Sequence, residues 1–482
     1  MKLSKILKEV DYSLIQGTLD IDIMDIHYNS KLVKDKSIFI CMSGAKLDGH
    51  IYIDSAIENG ANTIIVEREI EGLDKNITVI KVKDTKIILP IISKNFYDDP
   101  SSKFKLIGIT GTNGKTTVSK FIDIVLKNLG HKVGVIGTIG TTMDNEDIDL
   151  GITKLTTPQS KDLQHIFNIM YEKGAHDVIM ECSSMGIEMH RVDKCDFDIA
   201  VFTNLTQDHL DDHKTMENYK NAKLKLFYMC KKSVINIDDE FGGEIIGKID
   251  TPYFTYAIDR EADLRATDIN ITSKGVRFKI ILKGTKREVY LKIPGKFSIY
   301  NALATIGTCY NLGYDIDSII EGICKIEGVK GRFQLVSNSK GCTTIVDYAH
   351  TPDALENVIK TAKEFARGKV ITVFGCGGNR DKTKRPIMAY IASINSDFLV
   401  ITSDNPRDED PEEILNDVES GISSGNKNYI KITDRREAIH YAMDIAKVND
   451  IIIIAGKGHE NYQIINGKTH HFDDVEVVEE YR

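Results

Sequence analysis

Between Phe104 and Gly130 the chain carries the stretch that most narrows its choice of fold. Residues 105–110 (KLIGIT) form an apolar run of strand length, and residues 111–117 (GTNGKTT) form a glycine-rich turn. Val118, Phe121, Ile122, Val125 and Leu129 then recur at helical spacing until Gly130 stops the pattern. Strand, turn and helix in that order predict an α/β unit able to cradle a polyphosphate. Gly111 and Gly114 free the backbone to turn its N–H groups toward an anion, and the helix adds the positive end of its dipole. Lys115 can reach the terminal phosphates, and Thr116 can offer a hydroxyl to magnesium. The spacing departs from the common P-loop: Ile109 occupies the first glycine's place, and glycines stand at 108 and 111. An ordinary βα turn is the plainer reading, but a Gly-Lys-Thr-Thr run behind an apolar strand favours nucleotide binding.

A chain of 482 residues is too long for one core and suggests about two to four domains. With 41% apolar and 28% charged residues, its composition is that of an ordered globular protein. A net charge of −9 argues against a general nucleic-acid binder, so an anionic substrate needs a locally basic site. The eight cysteines show no Cys-x-x-Cys pair and no zinc spacing, which suits reduced, mostly buried thiols in a cytoplasmic protein. Leu3, Ile6, Leu7 and Val10 lie at helical spacing among lysines and acids, so residues 1–15 read as neither a signal peptide nor a membrane span. No later stretch is long and apolar enough to cross a bilayer. We expect a monomer with no membrane span and no nucleic-acid partner.

Punctuation divides the chain into three segments. In residues 1–97, strands are expected at 37–41 and 63–66 around a helix at 53–59, with a polar turn at 28–31. The turn-rich residues 98–102 (DDPSS) mark the first boundary. Residues 98–331 alternate strand and helix, with strands at 132–136, 177–180 and 197–202. The pattern from 253 to 294 reads as an antiparallel edge, followed by a helix that begins near Ser298 and carries Asn301. Residues 328–333 read as a hinge into a last alternating segment, 332–482, with strands at 344–346, 370–374, 398–401 and 451–454. Asp410 and Pro411 form a helix start. The predicted class is α/β in three domains: a small N-terminal α/β domain, a central P-loop-type domain with a mainly parallel sheet, and a C-terminal Rossmann-like domain. Ligands of such sheets bind beyond the carboxyl ends of the strands, so the loops after 110, 180 and 202 should share one crevice.

Several residues on those loops suit phosphate chemistry. Glu181 is placed like the second carboxylate of a P-loop nucleotidase, against the alternative of a capping or solvated glutamate. His209 stands beside two acids at a strand end, where a histidine is a ligand candidate. Lys223 shares a helical stretch with Lys220 and Lys225, and spacing does not choose among them. Arg380 and Arg407 sit on separate strand-end loops of the last segment, where planar guanidinium groups suit a carboxylate; surface ion pairing is the alternative.

Residues 111–117 (GTNGKTT), 181–184 (ECSS), 204–211 (NLTQDHLD), 331–333 (GRF), 347–350 (DYAH) and 456–460 (GKGHE) together resemble the Mur ligases over essentially the whole chain. Residues 404–407 (DNPR) are similar to the version in that family that adds meso-diaminopimelate rather than lysine. The resemblance implies an ATP-dependent, ADP-forming amide ligase of peptidoglycan precursor synthesis. ATP would phosphorylate the D-glutamyl side-chain carboxylate of UDP-N-acetylmuramoyl-L-alanyl-D-glutamate, and an amino group of diaminopimelate would attack the acyl phosphate. Both steps need alignment and charge neutralisation more than covalent catalysis.

By the same resemblance, ATP would meet Gly111, Thr112, Asn113, Gly114, Lys115, Thr116, Thr117, Asn301, Arg332 and Asp347. Lys115, Glu181, His209 and Lys223 would be catalytic, and magnesium would be held by Thr116, Glu181, His209 and Lys223. Lys223 matches the lysine that the family carbamylates to N6-carboxylysine. Ser30, Thr156, Thr157, Ser183 and Arg191 would bind the UDP substrate, on the segment 1–97 and the segment 98–331. Diaminopimelate would meet Arg380, Asp404, Asn405, Pro406, Arg407, Gly456 and Glu460 on the segment 332–482. Asn29 and Lys31 replace a usual Asp and Arg, and Met189 a usual Gln, so altered contacts without loss of activity are expected. The alternatives are the same ligase adding L-lysine, a folylpolyglutamate synthetase-like ligase, and a non-catalytic nucleotide-binding regulatory protein. Arg407 argues against lysine, the segment with Ser30 against folate, and the intact set of Lys115, Glu181, His209, Lys223 and Asp347 against lost turnover.

Overall fold

The apolar runs of this chain become buried, mostly parallel strands in two compact units. The computed structural model describes every residue except 45–47, 152–154, 209, 424, 426–427 and 482, and for 210 and 211 the backbone alone. One unit comprises residues 1–235, 239–254 and 311–313; the other comprises 236–238, 255–310 and 314–482.

The first unit begins with a sheet in the order Ser13–Gln16, Thr78–Lys81, Ala61–Val66, Ser37–Ile40, Asp25–His27. All pairs are parallel except that of Ser13–Gln16 with Thr78–Lys81. Ser37–Ile40 is buried at every position. Ile38 and Ile40 enter one core with Ile65, Ile80 and the helix Thr85–Phe96, while Phe39 enters another with Ile53, Ala56 and Ile64. That two-faced burial is why the strand reads as a continuous apolar run. The helix Thr85–Phe96 does not stand out from the sequence because it contains Pro90. The helical spacing at the N-terminus yields only Leu3–Ile6, since Glu9 takes a positive φ of 67° and turns the chain. The polar turn at 28–31 holds the short 3-10 helix Ser30–Leu32.

The second sheet of this unit runs Cys230–Asn236, Phe197–Phe202, Lys105–Thr110, Asp177–Glu181, Val133–Gly137, Gly140–Met143, Glu146–Asp147. The first five strands are parallel, and the last two form an antiparallel margin. Lys105–Thr110 lies at the middle of the parallel strands, so the glycine-rich turn leaves the sheet at its centre.

In the second unit, Leu264–Thr272, Gly275–Leu282 and Thr285–Leu291 form the expected antiparallel run. The strand ahead of them departs from expectation: Tyr256 and Ala257 pair in parallel with Leu264 and Arg265. Side-chain alternation reports which face a residue occupies, not strand direction. A six-stranded sheet follows in the order Gln334–Val336, Thr343–Asp347, Ile451–Ala455, Val370–Phe374, Phe398–Ile401, Tyr429–Lys431, parallel except for its first pair. Ile451 and Ile453 pack in the core with the helix Pro352–Phe365, and Ile452 and Ile454 in the core with Arg435–Ile445. The loops 347–350, 375–381, 402–407 and 456–460 all leave this sheet at its carboxyl edge. No described helix is long and apolar enough to cross a membrane.

Candidate active site

The glycine-rich turn is held by the neighbouring strand's loop. Thr112 N donates to Asn204 O at 2.9 Å, Asn113 N to Asn204 Oδ1 at 2.9 Å, and Thr203 Oγ1 to Asn113 O at 2.6 Å. Gly111 has φ of 151°, and a Cβ there would stand 1.9 Å from Thr203 Oγ1, so no larger residue fits. Gly114, at φ 87°, opens the helix Lys115–Asn128. Lys115 Nζ donates to Gly111 O and Thr112 O, both at 2.8 Å, which lays its charge over the turn.

Glu181 ends the next strand and is 1% exposed, which removes the solvated reading. Its carboxylate accepts from Thr116 Oγ1 at 2.9 Å, Thr138 N at 3.0 Å and Thr138 Oγ1 at 3.0 Å. Gly137 makes the room: a Cβ there would lie 2.2 Å from Glu181 Oε1. Thr116 and Glu181 thus place a hydroxyl and a carboxylate together, hard oxygen donors of the kind magnesium takes. Among the described residues no group of three or more His, Cys, Asp or Glu side chains is arranged to hold a metal ion. His209 lies outside the described residues.

The structure separates the three lysines that spacing could not. Lys220 pairs with Glu244 at 2.5 Å and Lys225 with Glu188 at 2.6 Å. Lys223 is 1% exposed, donates to Gly111 O at 2.9 Å and lies 4.4 Å from the centre of the Tyr219 ring. Burial, and then the charge of Lys115, push its amine well below the ordinary lysine value, with Asp208 opposing. Lys115 and Lys223 therefore share one carbonyl, and one of them is biased toward the neutral amine.

Thr156, Thr157, Ser183 and Arg191 gather beside Glu181. Thr157 Oγ1 donates to Glu181 O at 2.9 Å, Ser183 N to Thr157 Oγ1 at 2.9 Å, and Arg191 Nη1 to Thr157 O at 3.1 Å. Thr156 Oγ1 lies 3.3 Å from Thr138 Oγ1. Ser30 makes no hydrogen bond to any of these four; its carbonyl accepts from Asn59 Nδ2 at 3.0 Å. The adjacent Tyr28 ties this turn to the second sheet's segment by donating its hydroxyl to Asp162. Asn29 Oδ1 accepts from Lys31 N at 3.1 Å, a cap that aspartate would also make, so this departure keeps the local fold. Met189, 40% exposed, follows the helix Ser184–Glu188.

In the second unit Asp347 is half-buried and accepts from Phe333 N at 2.7 Å and Ala349 N at 2.8 Å. Burial raises its pKa while the Arg332 guanidinium, 4.6 Å from the centre of the Tyr348 ring, opposes the rise. Asn301 is buried on the helix Lys296–Asn311.

The remaining predicted residues meet at the carboxyl edge of the six-stranded sheet. Asn405 Nδ2 donates to Asp404 Oδ1 at 3.1 Å and to Glu460 Oε2 at 3.0 Å, and Asn405 Oδ1 accepts from Ile464 N at 2.9 Å. Arg407 donates from Nη1 to Gly378 O at 2.6 Å. A Cβ on Gly377 would stand 2.9 Å from Arg407 Nη1 and 3.8 Å from Arg380 Cγ, so the two arginines flank that glycine. Neither forms an ion pair among the described residues. Pro406 O accepts from Glu409 N at 3.0 Å, and Gly456, at φ 118°, donates to Asp347 O at 3.1 Å. The cluster offers cations for carboxylates beside an acid for an ammonium group. Thr138, Asn204 and Lys457 belong to these constellations without having been singled out. Thr138 follows a strand end and could have been found by that rule; Asn204 and Lys457 sit inside the motifs 204–211 and 456–460.

Family models match the chain in three places: the Mur ligase family catalytic domain over residues 22–97, the Mur ligase middle domain over 109–309, and the Mur ligase glutamate ligase domain over 331–458. The chain is 46% identical over 480 residues to UDP-N-acetylmuramoyl-L-alanyl-D-glutamate--2,6-diaminopimelate ligase 2 of Clostridium acetobutylicum, covering 100% of this chain and 99% of that protein. It is 47% identical over 484 residues to the 2,6-diaminopimelate ligase of Clostridioides difficile, again covering 100% and 99%. A solved structure of UDP-N-acetylmuramoyl-L-alanyl-D-glutamate--2,6-diaminopimelate ligase matches with a TM-score of 0.72 and 32% identity, covering 99% of this chain and 98% of that one. With its three matched domains and these full-length relatives, the chain belongs to the Mur ligase family.

Proposed function

We propose that the chain is an ATP-dependent, ADP-forming ligase that joins meso-diaminopimelate to the D-glutamyl side chain of UDP-N-acetylmuramoyl-L-alanyl-D-glutamate. The observation that carries this reading is the cluster in which Arg380 and Arg407, neither ion-paired among the described residues, stand with Asn405 and Glu460. A diacid with two amino groups satisfies such a cluster, whereas lysine leaves a guanidinium without its carboxylate. Residues 1–97 and 98–331 serve the UDP substrate and ATP, and residues 332–482 serve the amino acid. The enzyme works as a monomer in the cytoplasm.

Lys115 neutralises the terminal phosphates as the D-glutamyl carboxylate oxygen attacks the γ-phosphorus, breaking its bond to ADP. The acceptor's neutral amine then attacks the acyl carbon, inorganic phosphate leaves, and the nitrogen loses a proton. Thr116, Glu181, His209 and carbamylated Lys223 would hold magnesium, which supplies charge neutralisation on the phosphates. Carbamylation needs a neutral amine that attacks carbon dioxide and releases a proton, and burial beside Lys115 pushes Lys223 toward that form. The product carries a negative charge where the ammonium would repel Lys115. Thr157, Ser183 and Arg191 orient the UDP-linked peptide, with Ser30 on the first sheet's turn.

Phosphate release with ATP, magnesium and the UDP dipeptide tests the reading. Strong release with meso-diaminopimelate and little with L-lysine is the expected result. Equal release with lysine would overturn the role given to Arg407, and release with neither would overturn the ligase.

A further inference from the structure

Lys457 is fully buried, yet it lies among the acids of the amino-acid cluster. Its Nζ donates to Tyr462 O at 2.5 Å and to Glu460 Oε2 at 3.3 Å, and stands 3.8 Å from Asp404 Oδ1. The same two carboxylate oxygens take both hydrogens of the Asn405 amide. One oxygen of each acid is thus committed to Lys457 and Asn405. Glu460 Oε1 has no hydrogen-bond partner among the described residues, and the Glu460 side chain is 17% exposed. Asp404 is shielded further: its side chain is 10% exposed, and Gly456 approaches its Oδ2 so closely that a Cβ would lie 3.2 Å away.

We propose that Lys457 is a positioning and specificity residue: it cancels the charge of one acid of the Asp404–Glu460 pair and presents the outer oxygen of Glu460 to the acceptor's distal ammonium. The inference rests on reading this cluster as the diaminopimelate site. Two carboxylates that converge on one amide repel each other, and Lys457 is the cation that faces both of the converging oxygens. Arg435 also acts on Asp404 through its charge, but it makes no ion pair with either acid among the described residues, and its guanidinium is engaged by Asp474 in two bonds of 2.8 Å. Arg380 and Arg407 belong to the carboxylate side of the cluster. With Lys457 in place, one net negative charge remains for one incoming ammonium, and the Lys457 side chain, 5.4 Å from the Tyr462 ring centre, is 0% exposed.

The test compares meso-diaminopimelate with 2-aminopimelate, which keeps the distal carboxylate and lacks the distal amine. Lys457→Gln keeps a donor for Tyr462 O and removes the charge. It should raise KM for diaminopimelate at least about tenfold, while KM for 2-aminopimelate, ATP and the UDP dipeptide stays within about twofold. Glu460→Gln should reproduce that pattern, which keeps the test decisive should the buried substitution fail to fold. Equal losses with both acceptors, or a fall in kcat with KM unmoved, would mark Lys457 as structural and overturn the proposal. Wild-type enzyme that turns over neither acceptor would overturn the reading of the site, and the proposal with it.

Discussion

Lys223 shows what a single side chain's surroundings can do to its chemistry. Alanine there should lower kcat at least about a hundredfold, with circular dichroism unchanged, because a charge-stabilising group is lost from the reacting centre. Depleting bicarbonate should lower wild-type activity and leave the residual activity of Lys223→Ala where it was; equal responses would refute carbamylation. Lys223 also marks how far single residues are legible. The motif residues Lys115, Thr116 and Glu181 announce themselves by position behind strands. Spacing does not choose Lys223 over Lys220 and Lys225; resemblance singles it out and burial sets it apart, which periodicity over a helical stretch with three lysines cannot convey. His459 carries a different residue-scale consequence. Burial, then Arg332 and Lys330, lower its pKa to about 4. As pH falls below about 6.5 the unfolded chain takes up a proton that the folded ring refuses, so stability is lost between about pH 6.5 and 4. Partial exposure of the ring screens the effect, leaving a loss of about 1 kcal/mol between pH 7 and 5. Urea titrations should show that loss in the wild type and not in His459→Gln; parallel curves would sink the assignment.

Elements are read from the chain wherever one period dominates. The strands 105–110, 197–202, 370–374 and 398–401 are continuous apolar runs because both of their faces are covered. What eluded pattern reading has local causes: Pro90 inside a helix, a positive φ at Glu9, and a parallel partner for Tyr256 where alternation is silent on direction. The strand ends of the six-stranded sheet depend on an element that no motif indicates, the helix Arg435–Ile445. Its first residue, Arg435, is 1% exposed and reaches Ser403 O at 3.4 Å and Ala455 O at 3.1 Å while paired with fully buried Asp474. Arg435→Met should destabilise the chain by about 3–5 kcal/mol, since it strands a buried carboxylate. Arg435→Met with Asp474→Leu should regain most of that loss, as chemical denaturation would show; no regain would mean that the carbonyl contacts, not the charge pair, carry the stability.

At the scale of the whole molecule, the two constellations fall in separate compact units. The turn at 111–117, Glu181, Lys223, Thr157 and Arg191 belong to the first, and Arg380, Asn405, Arg407, Lys457 and Glu460 to the second. Each unit buries its own cores, so thermal unfolding should not be a single two-state transition. Binding stabilises what it binds by mass action, about 2.7 kcal/mol at a hundredfold excess over Kd. Calorimetry should therefore show meso-diaminopimelate raising one transition and the UDP dipeptide the other. Tying each transition to its unit needs a marker, and Arg435→Met supplies one by lowering only the transition of the second unit. If diaminopimelate shifts the transition that Arg435→Met lowers, the amino-acid site is where the arginines and Glu460 place it. A shift of the other transition would move that site to the first unit and separate the diaminopimelate reading from Arg407.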